Sequence, residues 1–304
     1  MRSRRPLLAC VLVVAAVGAG CAVEPRGPSA PHALEQVLPA KALDVAAARL
    51  AARTFVTAYA NAADDRGLSL RRLVVGQELT RWVRWLGIQN GQFEGEIRGA
   101  ADVTDVHFLG VALGDTYDVA RVRLRATVTF DYAPSDGEPF TLARVLDGPM
   151  LLVRVGAEDW KVADITREGL PLSEGIRDLG RERIADDGIA IVLDSAFVFP
   201  VGIQVNVTVE NRTDVGIRLA SVTLVSGGAT ADGRATVPLR AIPGSTGAIG
   251  ILSFGSGADP AEAVIELRYR TASGTVTLRI PLGDLLGDMP SAVAGASPSS
   301  DAAV

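Results

Sequence analysis

The chain has 304 residues, of which 48% are hydrophobic, and it carries a formal charge of -5. This length is enough for two ordinary domains, and the absence of a basic surplus argues against a nucleic-acid partner. The cysteines are Cys10 and Cys21. Cys10 falls in a segment that we expect to be removed, so the mature chain would lack both an internal disulfide and a thiol metal site.

The N-terminus has the parts of a secretory signal peptide. A basic start precedes an apolar run over 7–17, and small residues lead into Cys21. The run is shorter than the ~20 residues that a membrane-spanning helix needs. A cysteine at such a cleavage site resembles a bacterial lipoprotein signal, which implies a palmitate-bearing anchor on Cys21 at the outer face of the cell membrane. Gly18 stands where that pattern usually has leucine, so the alternative is an ordinary signal, cut after Ala19 or Ala22, and a secreted protein.

The sequence divides into two domains between less regular ends. Residues after Cys21 are rich in Pro, Gly and Ala, and the last residues are small and polar. We predict six segments in order: a signal peptide (1–20), the lipidated cysteine with a flexible tether (21–42), an α+β domain (43–168), a linker with a short helix (169–187), a β-sandwich domain (188–287) and a disordered tail (288–304).

Helical periodicity opens the first predicted domain. Apolar residues recur at spacings of three and four over 43–64, which predicts an amphipathic helix. A second helical pattern runs over 69–86 and is interrupted at Gly76. Trp82 lies on the core stripe of this pattern. Trp85 lies off the stripe, and we predict that it lines a pocket mouth or an interface.

The period then changes to two, which is typical of antiparallel strands. The predicted strands cover 102–113, 117–132, 141–146, 150–155 and 160–165, with a bulge or bend at 147–149. Helices followed by a long antiparallel sheet predict an α+β domain. The helical stretch Phe55–Tyr59 and the closing strand Trp160–Ile165 resemble the nuclear-transport-factor-2-like superfamily, which includes ketosteroid isomerase and scytalone dehydratase. That resemblance implies a cone-like fold, in which N-terminal helices pack on a curved antiparallel sheet around a pocket.

Short strands at regular spacing follow in the second half. They are predicted at 189–193, 203–210, 217–225, 235–239, 248–254, 263–269 and 275–282. Strands without intervening helices are typical of a β-sandwich. The alternation of Val205, Val207 and Val209 with polar residues resembles the immunoglobulin-like sandwiches of bacterial surface proteins, which implies a separate all-β second domain.

The sharpest catalytic hypothesis uses Asp105 and His107, near Asp102. Strand alternation places Asp105 and His107 on one face with apolar neighbours, where an acid and an imidazole could act as base and acid, as members of the resembled superfamily do. The alternative is an exposed pair at the end of a strand. Fold-level analogy is a weak basis for assigning chemistry, so both interpretations stay open.

A stripe of arginines is the second candidate site. Arg121, Arg123 and Arg125 share one strand face and could bind an anionic ligand or an acidic partner. The alternative is a solvated outer face whose charges keep the sheet soluble.

Together these patterns predict a non-enzymatic, membrane-anchored lipoprotein that binds or scaffolds another component of the cell envelope. The expected partners are the membrane, through the lipid anchor, and an envelope protein or small ligand; no nucleic acid, metal or cofactor is expected. The alternatives are a small-molecule carrier that uses the cone pocket and an isomerase- or dehydratase-like enzyme that uses Asp105 and His107. Lys41 and Lys161 are the only lysines, and this arginine-dominated composition is typical of a GC-rich, actinobacterial genome.

Overall fold

The computed structural model describes residues 42–114, 116–167, 169–199, 202–255 and 262–286. The predicted signal peptide, the lipidation site Cys21 and the predicted tail lie outside these residues. Within them, strands hold 56% of the residues and helices 24%. None of the helices in this part of the chain has both the length and the hydropathy that crossing a membrane requires.

Two helices of appreciable length lie near the N-terminus. The first buries Ala52, Phe55 and Tyr59 on one face, as the spacing of its apolar residues requires. Gly76, with a φ of 92°, separates the second helical pattern into two pieces. The helices are α1 (Ala42–Ala60), α2 (Leu68–Arg72), α3 (Gln77–Gln92), α4 (Leu172–Gly175), α5 (Val237–Arg240) and α6 (Leu282–Leu286).

The first five strands form one antiparallel sheet, which we call the N-terminal sheet, in the order of the chain. They are β1 (Gly95–Ala112), β2 (Asp118–Pro134), β3 (Phe140–Arg154), β4 (Lys161–Arg167) and β5 (Leu170–Pro171). Its inner face packs on α1 through alternate residues of β2, including Val122 and Val128. The predicted interruption at 147–149 is absent from β3, because those residues keep their pairing with Arg123–Arg125.

The second half contains two further antiparallel sheets. The middle sheet has the order β12 (Arg234–Ala235), β14 (Thr246–Gly255), β9 (Gly202–Asn211), β8 (Ile189–Phe199), β6 (Ile176–Asp178), with β7 (Arg183–Asp186) also paired to β8. The outer sheet has the order β11 (Ala229–Asp232), β10 (Ile217–Ser226), β15 (Val264–Arg270), β16 (Thr275–Pro281), with β13 (Ala241–Ile242) also paired to β10. The predicted strand at 235–239 is replaced by β12 and α5, since Pro238 suits a first helical turn better than a strand interior.

The predicted fold class, a helix-packed cone followed by a separate immunoglobulin-like sandwich, is wrong. The described chain is mostly strand, in three antiparallel sheets. One apolar core, which we call the first core, contains residues from both halves of the chain. In it, α1, α3 and the N-terminal sheet pack against Phe197 and Phe199 of β8 and Ile251 of β14. A second core lies between the middle and outer sheets. The middle sheet is therefore covered on both faces.

The error originates in β8. The sequence prediction ended this strand at Leu193, but the strand continues to Phe199 and is buried on both faces. A register shift lies between Leu193 and Ser195. Before it Leu193 faces the second core, and after it Ala196 faces that core while Phe197 faces the first. Near-continuous apolar runs are typical of strands covered on both faces.

Asp164 of β4 binds Ser173 of α4, in the segment that connects the N-terminal sheet to the middle sheet. Its carboxylate accepts hydrogen bonds from the Ser173 backbone N–H at 3.1 Å and from the Ser173 hydroxyl, and from the Ile165 N–H at 2.8 Å. Burial raises the pKa of the Asp164 carboxyl, and this effect exceeds the lowering by the hydrogen bonds from Ser173 and Ile165. The folded protein therefore holds the Asp164 proton more tightly than the unfolded chain.

Because the folded-state pKa of Asp164 is raised, its contribution to stability is greatest at acidic pH. It falls as the pH rises from the ordinary pKa of 3.8 to the folded-state pKa. We expect Asp164→Asn to remove this decline, which urea unfolding at a series of pH values would measure. The matched control is Asp159→Asn, at an exposed position in the preceding turn. An unchanged pH slope in Asp164→Asn would contradict the prediction.

Candidate functional site

A cleft of about 420 Å³ opens where α3, the N-terminal sheet and the middle sheet meet; we call it the junction cleft. The end of α3 and the start of β1 form one wall, and the paired ends of β2 and β3 form the second. The chain around α5 closes the third side. Its lining residues are Gln89, Asn90, Gln92, Phe93, Glu94, Ile97, Tyr132, Pro134, Asp136, Phe140, Leu142, Thr236, Val237 and Arg240.

A smaller cavity of about 50 Å³, which we call the inner cavity, adjoins the junction cleft. The two spaces share Gln89, Tyr132 and Leu142 in their walls, so they are neighbours. The walls of the inner cavity combine aromatic, aliphatic and polar side chains and come from both halves of the chain. They include Tyr59, Trp82, Trp85, Phe130 and Phe197, together with Arg144 and Arg167.

Aromatic rings hold one another along the wall of the junction cleft. The Tyr132 and Phe140 rings stack with their centroids 4.8 Å apart and an angle of 7° between their planes. Phe93 meets Tyr132 edge to face at 5.1 Å. Cross-strand pairing explains this arrangement, because Tyr132 and Phe140 are direct neighbours in the β2–β3 register. Burial raises the pKa of the Tyr132 phenol, so this wall stays uncharged at neutral pH.

Two amide groups give the apolar wall a hydrogen-bonding edge. The Gln92 Nε2 donates to the Ile249 carbonyl across the junction at 2.6 Å. Within the described residues, the buried Gln92 Oε1 and Asn90 Nδ2 have no hydrogen-bond partner. A buried donor or acceptor without a partner costs free energy, and these two atoms have almost no accessible surface.

Ion pairs and a tryptophan hold α3 against the middle sheet and so fix the cleft. The Trp85 indole Nε1 donates to Asp194 Oδ2 at 2.6 Å, and Arg81 donates to Asp178 at 2.6 Å. The same Asp194 oxygen lies 4.0 Å from the Arg81 Nε. Hydrogen bonds of this kind, with a charged acceptor, are among the stronger ones in proteins.

A polar chain continues from Asp194 into the middle sheet. The Ser195 hydroxyl donates to Asp194 at 3.1 Å and accepts from the Asn206 Nδ2 at 2.8 Å. Ser195 and Asn206 are fully buried. The register shift in β8 at this point turns Asp194 toward α3, since bulges re-aim side chains.

A scan of the sequence against protein-family models finds no match. A search of the curated proteins also finds no match.

The predicted catalytic pair lies away from the junction cleft. Asp105 and His107 are exposed on the outer face of β1, and they pair across the sheet with Arg125 and Arg123. The inward side chain in this stretch is Val106, because the register shifts after Val103. Neither Asp105 nor His107 lines the junction cleft, so the structure does not bring this pair into it.

The arginine stripe lies on the same outer face. Arg123 and Arg125 are exposed and lie 3.8 Å and 3.2 Å from the Asp147 carboxylate of β3. Arg121 is half-buried at the end of the stripe. The carboxylate of Asp147 therefore partly neutralises the positive charge of Arg123 and Arg125. Anion binding by the arginine stripe stays a prediction.

Sequence reasoning singled out Trp85 but missed its partners. The structure places Trp85 at the interface between the halves and in the wall of the inner cavity. Asp194 and Ser195 lie inside the apolar run of β8. Polar residues in such a run need buried partners, so this pair could have indicated a contact with another element. Among the described residues there is no group of three His, Cys, Asp or Glu side chains placed to hold a metal ion.

Proposed function

We propose that this protein is a non-enzymatic binding protein that holds a small, flat, largely apolar molecule in the junction cleft. The observation that carries the proposal is the stacked Tyr132–Phe140 wall beside the partnerless Asn90 and Gln92 amide atoms. The volume of about 420 Å³ is in the range typical of ligand sites, which are mostly apolar with a few placed polar groups.

The charges around the junction cleft favour a ligand without strong charge. Its lining contains the acidic Glu94 and Asp136 and the basic Arg240, so charges of both signs are present. Flat rings suit the site, because aromatic pairs gain about 0.5–1.5 kcal/mol beyond the area that they bury. Because Gln92 Oε1 and Asn90 Nδ2 are buried, a donor and an acceptor on the ligand's edge would pair with them only after the two amide groups turned toward the cleft.

Binding has more support here than the enzymatic alternative. The isomerase- or dehydratase-like alternative used Asp105 and His107, and both residues are exposed outside the junction cleft. With the predicted anchor on Cys21, binding would take place at the outer face of the cell membrane. This location follows from the N-terminal sequence pattern and is part of the proposal.

The neutral dye N-phenylnaphthylamine, which fluoresces in apolar sites, tests the proposal. We expect the full chain to bind the dye saturably, and Phe140→Ala to raise the dissociation constant about tenfold through loss of the stacked ring. Val237→Trp should also weaken binding, because the larger side chain fills the mouth. Fluorescence titration measures both effects.

The matched control is Val145→Ala. Val145 lies on the same strand as Phe140 and is similarly exposed, at 51% against 46%, but does not line the junction cleft. Its substitution should leave dye binding unchanged. If Phe140→Ala and Val237→Trp bind the dye as tightly as the unmodified chain, the junction cleft is not the site.

A further inference from the structure

A second groove lies on the opposite side of α3 from the junction cleft and carries three arginines. We call it the basic groove; it has a volume of about 450 Å³. Arg66 and Arg71 come from the α2 region, Arg84 comes from α3, and Ile249 of the middle sheet closes the far side. Its other lining residues are Gly67, Leu68, Val83, Gly87, Ile88, Gly91 and Gln92.

The basic groove is locally positive although the chain as a whole is acidic. None of its lining residues is Asp or Glu. Within the described ranges, Arg66, Arg71 and Arg84 make no ion pair, and all three are exposed. Asp64 and Asp65 precede Arg66 in the chain but do not line the basic groove, and the Asp65 Oδ2 accepts the Ser69 N–H at 2.8 Å. Three guanidinium groups around one concavity suit phosphate oxygens.

Apolar side chains sit among these charges. Leu68 lies between Arg66 and Arg71 in the chain and is 63% exposed, and Ile249 is 43% exposed. Exposed leucine flanked by arginine is typical of surfaces that rest on a membrane, with the apolar group in the acyl boundary and the cations on the headgroups. A site for a free phosphate alone would not need this apolar contribution.

The backbone holds the basic groove in one shape. Arg66 has a left-handed φ of 55°, which is uncommon for a residue other than glycine, and Gly67 follows at 76°. α3 passes so close that a Cβ added at Gly87 would lie 2.3 Å from the Arg66 carbonyl oxygen. The Gly67 N–H donates to the Ala62 carbonyl at 2.8 Å. Arg66 therefore extends from a fixed turn that contacts α3, the helix that carries Arg84.

We infer that the basic groove docks the protein on an anionic phospholipid bilayer. Arg66, Arg71 and Arg84 would bind headgroup phosphates, and Leu68 would enter the acyl boundary. The predicted anchor on Cys21 makes this contact accessible: the 20 residues over 22–41 could span about 70 Å, against about 28 Å for the length of α1. This inference does not depend on the ligand proposed for the junction cleft.

Vesicle sedimentation of the full chain carrying Cys21→Ala, which removes the acyl contribution, tests the inference. The vesicles are pure phosphatidylcholine, or equal parts of phosphatidylcholine and phosphatidylglycerol. We expect the triple variant Arg66→Gln, Arg71→Gln, Arg84→Gln to bind the anionic vesicles about 100-fold more weakly. Each arginine near an anionic membrane surface increases the binding constant about fivefold. High salt should reduce binding of the unmodified groove.

The matched control replaces three other exposed arginines, Arg49, Arg53 and Arg72, by glutamine; none of them lines the basic groove. Equal losses in both triple variants, or no loss in the groove variant, would overturn the inference. Leu68→Ser should weaken vesicle binding without changing the affinity for inorganic phosphate, measured by calorimetry. Phosphate binding without a preference for anionic vesicles would reject the bilayer as the partner.

Discussion

Trp85→Ala is expected to lower the free energy of unfolding by about 4 kcal/mol, the size typical of removing a buried aromatic side chain. Trp85 is 2% exposed and packs between α3 and the middle sheet. Loss of the Trp85 side chain would leave a cavity between α3 and the middle sheet. It would also remove the hydrogen bond that the indole Nε1 donates to Asp194 at 2.6 Å. Guanidinium unfolding followed by far-ultraviolet circular dichroism measures the change.

Two conservative variants separate the packing of Trp85 from its hydrogen bond. Trp85→Phe keeps most of the ring but leaves Asp194 without the indole donor, which should cost about 2 kcal/mol in addition to packing. The matched control is Trp82→Phe, on the same helix and 4% exposed, with no link to Asp194. Equal costs for Trp82→Phe and Trp85→Phe would show that the hydrogen bond contributes nothing.

Gly99→Ala is expected to cost about 3 kcal/mol of unfolding free energy through overpacking. Gly99 of β1 faces the end of α1, where an added Cβ would lie 1.8 Å from the Ala60 carbonyl oxygen and 2.6 Å from its carbon. The obstacle is backbone, so no side chain can turn aside to make room. α1 would have to move away from the sheet on which it packs.

Gly255→Ala is the matched control for Gly99→Ala. Gly255 ends β14, and an added Cβ there would meet no described heavy atom within 4 Å. That substitution should be neutral or slightly stabilising, because it reduces the freedom of the unfolded chain. Chemical unfolding of both variants gives the comparison, and a Gly99→Ala protein as stable as Gly255→Ala would contradict the packing described here.

The local elements were largely predictable. Helical spacing over 43–64 corresponds to α1, and alternation over 117–132 corresponds to β2, because each pattern reflects burial of one face. The predicted strand at 235–239 failed at Pro238, where a helical turn competes. Whether a segment forms a helix or a strand depends largely on neighbouring residues in the chain, so a single sequence contains enough information to predict it.

The junction cleft was not predictable to the same degree. Its walls bring Tyr132 and Phe140 together with Val237 and Arg240, which lie about a hundred residues further along the chain. Trp85 could be singled out, because it departed from the helical stripe. Its partner Asp194 could not, since nothing in the local pattern names the helix that a buried carboxylate contacts.

By itself, the sequence determined the positions of the main helices and strands, and it predicted an exported chain anchored through Cys21. The tertiary structure decided that the middle sheet is covered on both faces, and therefore that the two halves share a core. It also decided that Asp105 and His107 face outward. The physical reason is that periodicity records whether a face is buried, whereas only packing between distant segments decides what buries it.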